Sequence, residues 1–388
     1  MEKMLNKSII VYMLIAVFLG GCLGKDHLPK PMQGDLVGRV VDGQTQAGIP
    51  GVTIDFGNGL VTVSDLNGSF CFEVLPPGQY QVKLQRDWYQ PKELTVRHVG
   101  KKDPVVLVMQ SQPLPGAILY NRNENSADKQ EIFCLELKNR KQNKILGCLN
   151  SSEIQPSFRL PNQLIYTSDK QGKKDLYCYN LTTKEDQIIS NSLANTYHPS
   201  VSQDSNVLVF ESNRNGKKEV FLSNLNNLNS IQMIAAGQNP VVSHDGSQVA
   251  YVDGSYRLWI YDIKQNQSRM INLPYKVNNP SWAPDQIHLA VEGWSGSGQP
   301  HLIYVVNTHT NTWEQITYRY TEYDSHEHPS WSSDGTLIFF AANITSKTKN
   351  EIYCIRKDDA LSLKEKAIWV MVSGGAGSKD NPVWVELD

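Results

Sequence analysis

Prolines at positions 156, 199, 240, 280, 329 and 382 sit inside one recurring phrase, at intervals of 43, 41, 40, 49 and 53 residues. The fullest copies are His328-Pro329-Ser330-Trp331-Ser332-Ser333-Asp334-Gly335 and Asn239-Pro240-Val241-Val242-Ser243-His244-Asp245-Gly246. Asn279-Pro280-Ser281-Trp282-Ala283-Pro284-Asp285 and His198-Pro199-Ser200-Val201-Ser202-Gln203-Asp204 repeat it. Gln155-Pro156-Ser157-Phe158 and Asn381-Pro382-Val383-Trp384-Val385 are fainter. A short strand, an Asp-Gly turn and a β-rich run are the pattern of a tight hairpin. A period of roughly 40–50 residues with about four short strands per unit predicts a β-propeller.

The strand count predicts how the ends meet. After each proline strand come three more, with third strands at Glu131–Glu136, Asp175–Asn180, Glu219–Ser223, Arg257–Asp262, His301–Val306 and Glu351–Arg356. The unit starting at Ala117 lacks a proline strand of its own, and the last copy, Asn381 to Leu387, has nothing after it. Joined, the two make a sixth complete blade, so the C-terminal strand closes the ring and removes two exposed sheet edges. Cys134, Cys178 and Cys354 fall at matching places in third strands and are expected to pack between blades rather than relay electrons.

The Pro-x-Trp-Ser-x-Asp-Gly phrase, followed by an Ile/Val-rich run and an Ile-Tyr strand, resembles the six-bladed TolB-type (WD40-like) propeller repeat of bacterial envelope proteins. The resemblance covers residues 116–388. Arg159-Leu160-Pro161-Asn162 departs from it, standing where Ser-x-Asp-Gly is expected. The N-terminal domain of TolB has no counterpart here, so its partners are not carried over.

Residues 36–110 read as a small β-sandwich: period-two runs separated by Asn-Gly and Pro-Gly turns, with no helical periodicity. Asp65-Leu66-Asn67-Gly68-Ser69-Phe70 and Leu75-Pro76-Pro77-Gly78-Gln79-Tyr80 resemble signatures of the carboxypeptidase regulatory-like domain, a transthyretin-like sandwich that acts as spacer or binding module. Asp42 and Asp65 are expected to cap turns rather than hold metal, and Cys71, between Phe70 and Phe72, is expected to be buried. Residues 111–115 form a proline-stiffened linker. Ahead of the sandwich, Lys3 and Lys7 precede an apolar run from Ile9 to Leu19, too short to span a bilayer. It ends in Leu19-Gly20-Gly21-Cys22, which resembles a bacterial lipobox. The resemblance implies a signal peptide over 1–21, an acylated Cys22 and a tether over 22–35.

A formal charge of −2 excludes the basic stripe of a nucleic-acid binder. Six cysteines in 388 residues are too few for a disulfide scaffold. No Gly-x-Ser-x-Gly elbow and no phosphate-cradling glycine loop occurs.

Rotational equivalence would bring the six residues before the repeat prolines, Gln155, His198, Asn239, Asn279, His328 and Asn381, around one end of the central channel. This ring of amides and imidazoles, with no matched carboxylates, suits hydrogen bonding to a ligand or partner better than acid–base catalysis. An alternative rests on His326 and His328, which a bend at Pro329 would converge. Polysaccharide lyases of the oligogalacturonate type, also propellers, use such a His-x-His pair before a repeat proline. That resemblance implies one divalent transition metal held by His198, His326 and His328, with Gln155 as a further candidate, although Tyr323 stands where that family has glutamine.

The expectation is therefore an all-β, lipid-anchored envelope protein. It faces the periplasm or cell exterior, at the outer membrane where a cell has two. A sandwich precedes a six-bladed propeller that binds an envelope protein or a small polar ligand without cofactor; the alternative is a metal-dependent carbohydrate-active enzyme.

Overall fold

A computed structural model describes residues 36–65, 67–73, 75–100, 104–123, 129–148, 150–190, 193–319, 324–344, 349–363, 369–374 and 376–386. The signal segment, Cys22 and the tether lie outside the described residues. The described chain is all-β apart from one helix, Lys357–Leu363.

Two small sheets form the N-terminal unit. Leu36–Asp42 pairs antiparallel with Ser69–Phe72 and parallel with Val105–Met109, while Val61–Val63, Thr53–Asp55, Gly78–Gln85 and Lys92–His98 follow in order in the other sheet. Alternation buries Val82 and Leu84 and turns Lys83 and Gln85 to solvent. The same rule corrects the placement of Cys71: Phe70 and Phe72 point inward, so the residue between them is only half-buried. The two aspartates cap turns as expected, Asp42 Oδ1 accepting from the Gln44 and Thr45 amides and Asp65 Oδ1 from those of Asn67 and Ser69.

Six four-stranded antiparallel sheets follow. Sheet 1 orders Ser378–Val385, Ala117–Asn123, Glu131–Glu136 and Lys141–Leu146, so the C-terminal strand supplies its first strand. Sheets 2 to 6 begin at the proline strands Glu153–Arg159, Thr196–Val201, Gln238–Val242, Lys276–Trp282 and His326–Trp331. Each then adds its next three strands in chain order. The first strands neighbour one another in cyclic order, that of sheet 6 touching the C-terminal strand and that strand touching sheet 2.

The repeated phrase now has a physical meaning. Serine after the proline clamps one sheet to the next: the hydroxyls of Ser157, Ser200 and Ser330 accept the amides of Val201, Val242 and Trp384. The Ser-x-Asp-Gly turns are held by the aspartate. Asp334 Oδ1 accepts from Ser332 Oγ and the Thr336 amide, with Gly335 at φ +68° where a side chain would be strained.

The sandwich and sheets 1 and 6 share one apolar core, running from Leu36, Trp88 and Met109 through Leu114 to Ile118, Leu135, Phe339 and Cys354. The expected linker is tied on both sides: the Gln112 amide donates to Trp88 O and that of Leu114 to Leu137 O. The helix, unforeseen in the sequence reading, occupies the link between the third and fourth strands of sheet 6 and buries Ala360 against Trp331 and Ile316.

Candidate functional site

Each proline strand is bulged at one place. The register slips between Ile154 and Ser157, Tyr197 and Ser200, Gln238 and Val241, Asn278 and Ser281, Glu327 and Ser330, and Asp380 and Val383. The pre-proline residue at each bulge is left-handed: Gln155 φ 55°, His198 47°, Asn239 50°, Asn279 45°, His328 52° and Asn381 48°. Such a conformation in a non-glycine residue costs on the order of 1–3 kcal/mol and persists only where the surroundings enforce it.

The enforcing contacts come largely from the preceding sheet. The bulge frees a backbone N–H from the ladder, and a side chain accepts it: Asn121 for Gln155 (3.1 Å), Gln155 for His198 (3.0 Å), Glu211 for Asn239 (3.2 Å) and Glu292 for His328 (3.4 Å). Asn121, Glu211 and Glu292 occupy one equivalent place near the end of the second strands, opposite Asp380, Tyr197 and Asn278. Asp380 accepts the Asn381 amide itself (2.9 Å).

Side chains continue the chain of contacts. Gln155 Oε1 accepts from Thr167 Oγ1 as well as the His198 amide, which leaves its amide nitrogen to donate to His198 Nε2 at 2.6 Å. The His198 proton therefore sits on Nδ1, 3.2 Å from Glu211 Oε2. Burial pushes His198 down, with Glu211 pulling the other way, and the ring is held neutral near pH 7. Asn239 Nδ2 donates to Asn278 Oδ1 (2.7 Å) and Asn279 Oδ1 (2.8 Å), and Asn279 Nδ2 donates to Glu292 Oε2 (2.7 Å). His301, stacked under Trp294 at 4.4 Å, places Nδ1 2.5 Å from Glu292 Oε1 and 4.0 Å from Glu327 Oε1. His328 Nδ1 lies 2.7 Å from Asp380 Oδ1.

Charge separates the two histidines of the expected ring. Burial opposes protonation of His328, but Asp380, then Glu292 and Glu327, overcome it and raise the imidazole to about 9. Glu327 is pushed up by burial and by the neighbouring Glu292. Glu292 feels the same burial, yet His301 and His328 hold it below the ordinary carboxylate range.

The structure thus links five of the six pre-proline residues, Gln155 to His198 and Asn239 through Asn279 and Glu292 to the His328 amide, and gives Asn381 the same backbone conformation. It also corrects the expectation of a ring without carboxylates: Glu211, Glu292, Glu327 and Asp380 all join it. Glu327 and Asp380 stand two residues before their prolines, and aligning that offset across the repeats would have found them.

The expected metal set does not assemble. His326 is fully buried, packs on Phe340 at 5.4 Å, and is driven to about 4 by burial. The bulge at His328 breaks the two-residue alternation, so the two histidines face different surroundings. Among the described residues, the ligand atoms that lie within 4.8 Å of one another are those of Glu327, His328 and Asp380.

Comparison with known proteins bears on the fold. Residues 35–112 match the carboxypeptidase regulatory-like domain. No curated protein matches the chain by sequence. Among solved structures, TolB from Acinetobacter baumannii is similar over 80% of this chain and 80% of its own, at 14% identity and TM-score 0.59. A chain of a nidogen/laminin complex is similar over 70% of this chain and all of its own, at 7% identity and TM-score 0.54. An oligogalacturonate lyase in complex with manganese reaches TM-score 0.48 at 15% identity, over 68% of this chain and 76% of its own, too little to carry an argument. Identities this low speak to fold alone.

Proposed function

We propose that this chain is an envelope lipoprotein, acylated at Cys22, in which the sandwich precedes a six-bladed β-propeller. In this reading the C-terminal strand closes the ring, and the polar end of the channel binds a protein partner or a small polar ligand. The observation that carries it is the set of six left-handed pre-proline residues. Strain repeated at equivalent places, and concentrated where side chains converge, is the pattern of a site rather than of a scaffold. Similarity to TolB supports the fold.

The test is the double variant His198→Ala/His328→Ala, compared with the parent in cross-linking pull-downs from envelope fractions. The variant should lose the captured partner, at a cost of about 0.5–3 kcal/mol per hydrogen bond removed. Unchanged capture sinks the reading.

A second reading rests on Glu327, His328 and Asp380. One imidazole nitrogen and two carboxylate oxygens suit a divalent transition metal. Binding would displace the His328 proton now shared with Asp380. Manganese or zinc should then raise the melting temperature of the parent and not of Glu327→Gln. Polysaccharide cleavage stopped by a chelator would move the protein to the enzyme class.

A further inference from the structure

The fourth strand of each of the six sheets is its outer edge, and five of these edges are short or charged. Lys141–Leu146 carries two lysines. Asp186–Ile188, Gln267–Met270 and Trp313–Gln315 have three or four residues and each holds a charge. Trp369–Met371 is uncharged but has only three residues. Short length and charge are what keep a second strand from pairing with an exposed edge.

The edge of sheet 3 has neither device. Its strand, Asn227–Ala236, runs for ten residues without a charge or a proline and extends about 34 Å. Ile231 and Met233 are 42% and 45% exposed on it. Met233 pairs with Phe221 and Ile231 with Ser223, so both side chains share the face of sheet 3 that Phe221 turns to sheet 2. The outer strand of sheet 2 has three residues and leaves them open. In the cyclic order sheet 3 lies away from sheets 6 and 1, the two that share a core with the sandwich.

We propose that this strand pairs antiparallel with the same strand of a second copy of the chain, about a two-fold axis at Gln232. That register sets Ile231 of each copy opposite Met233 of the other, on one face, and the two Gln232 side chains opposite each other. A two-fold contact has to be self-complementary. An uncharged strand meets that condition, because no like charges come face to face. Lys141–Leu146 paired with itself would instead gather four lysines. A formal charge of −2 per chain adds little repulsion between the copies. The product is one continuous sheet of eight strands, four from each copy.

Light scattering and sedimentation of the full chain in detergent test this, and should give a dimer that dissociates on dilution. Ile231→Lys/Met233→Lys sets lysine against lysine across the axis and should weaken association by about tenfold or more, with circular dichroism showing the variant folded. Disulfide trapping reads the register, in a Cys148→Ser background that removes the exposed free cysteine. Gln232→Cys should give a covalent dimer on mild oxidation. Asn229→Cys, set about 20 Å from its copy in this register, should not. A monomer throughout the micromolar range, a dimer indifferent to the two lysines, or equal trapping at both positions overturns the proposal. So does a monomer that captures a different protein through Ile231 and Met233, which would make the strand a docking edge for another chain.

Discussion

Two histidines two residues apart titrate in opposite directions because the bulge between them sends one into the core and the other to the carboxylates. His326 is buried beside Phe340 and driven to about 4. The unfolded chain binds its proton near 6.5, so stability is lost as pH falls from about 6.5 towards 4. His328 runs the other way. Raised to about 9, its ion pair with Asp380 contributes fully below 6.5 and is lost as pH rises through 9. The linked free energy is on the order of 1–3 kcal/mol for each. Melting temperature against pH should therefore fall at both ends. His326→Leu should flatten the acid limb alone and His328→Gln the alkaline limb alone. A single variant that flattens both would show the two histidines to be one coupled unit.

The C-terminal strand Ser378–Val385 is the element on which sheet 1 depends. It pairs with Ala117–Asn123 along its whole length, and Lys379 is buried with Nζ 2.9 Å from Glu351 Oε2 on sheet 6. Removing residues 378–388 strips a first strand and takes one of its two lysine partners from Glu351, leaving Lys349 at 2.5 Å. Against a typical net stability of about 5–15 kcal/mol, the truncated chain should be insoluble or melt far below the parent; an unchanged melt would mean the strand is dispensable. Gly116→Ala is the milder version. Its φ is +74° and an added Cβ would meet the Trp384 ring at 2.5 Å, so a loss of about 1–3 kcal/mol in denaturant unfolding is expected.

This pairing was legible in the sequence because a proline phrase with no strands after it and strands with no proline phrase before them complement each other. The third strands were also legible, Glu351–Arg356 to the residue, since runs such as Glu-Ile-Tyr-Cys-Ile have one reading. The fourth strands were legible in position but not in extent. Asn227–Ala236 is longer than its apolar core, Ile231 to Ile234, because an outer edge strand is half exposed and its polar residues do not mark its ends. Nor was the helix, in a stretch where Asp358, Asp359 and Ser362 read as loop. The acidic half of the polar cluster lies off the residue that touches the proline: Glu327 and Asp380 stand one position earlier, and Glu211 and Glu292 belong to second strands, which carry no proline to mark them.

At the scale of the molecule, the sandwich is a packed neighbour of the six sheets. Besides the shared core, the Arg356 guanidinium lies 4.1 Å from the centre of the Trp88 ring, and Gly374, in the loop after the last strand of sheet 6, sits against Thr45. Anything that holds the sandwich therefore also holds the sheets. The proposed anchor at Cys22 lies only fourteen residues ahead of the first described strand, so it would keep the whole body close to its membrane. Among the described residues no helix is long and apolar enough to cross one. A single acyl chain binds marginally and stable anchoring takes two or more, so losing the modification should be decisive rather than graded. Cys22→Ser should move the protein from the detergent fraction to the aqueous fraction on phase separation, with the melting temperature of the described body unchanged. A variant that stays in the detergent phase would show that some other surface holds the membrane.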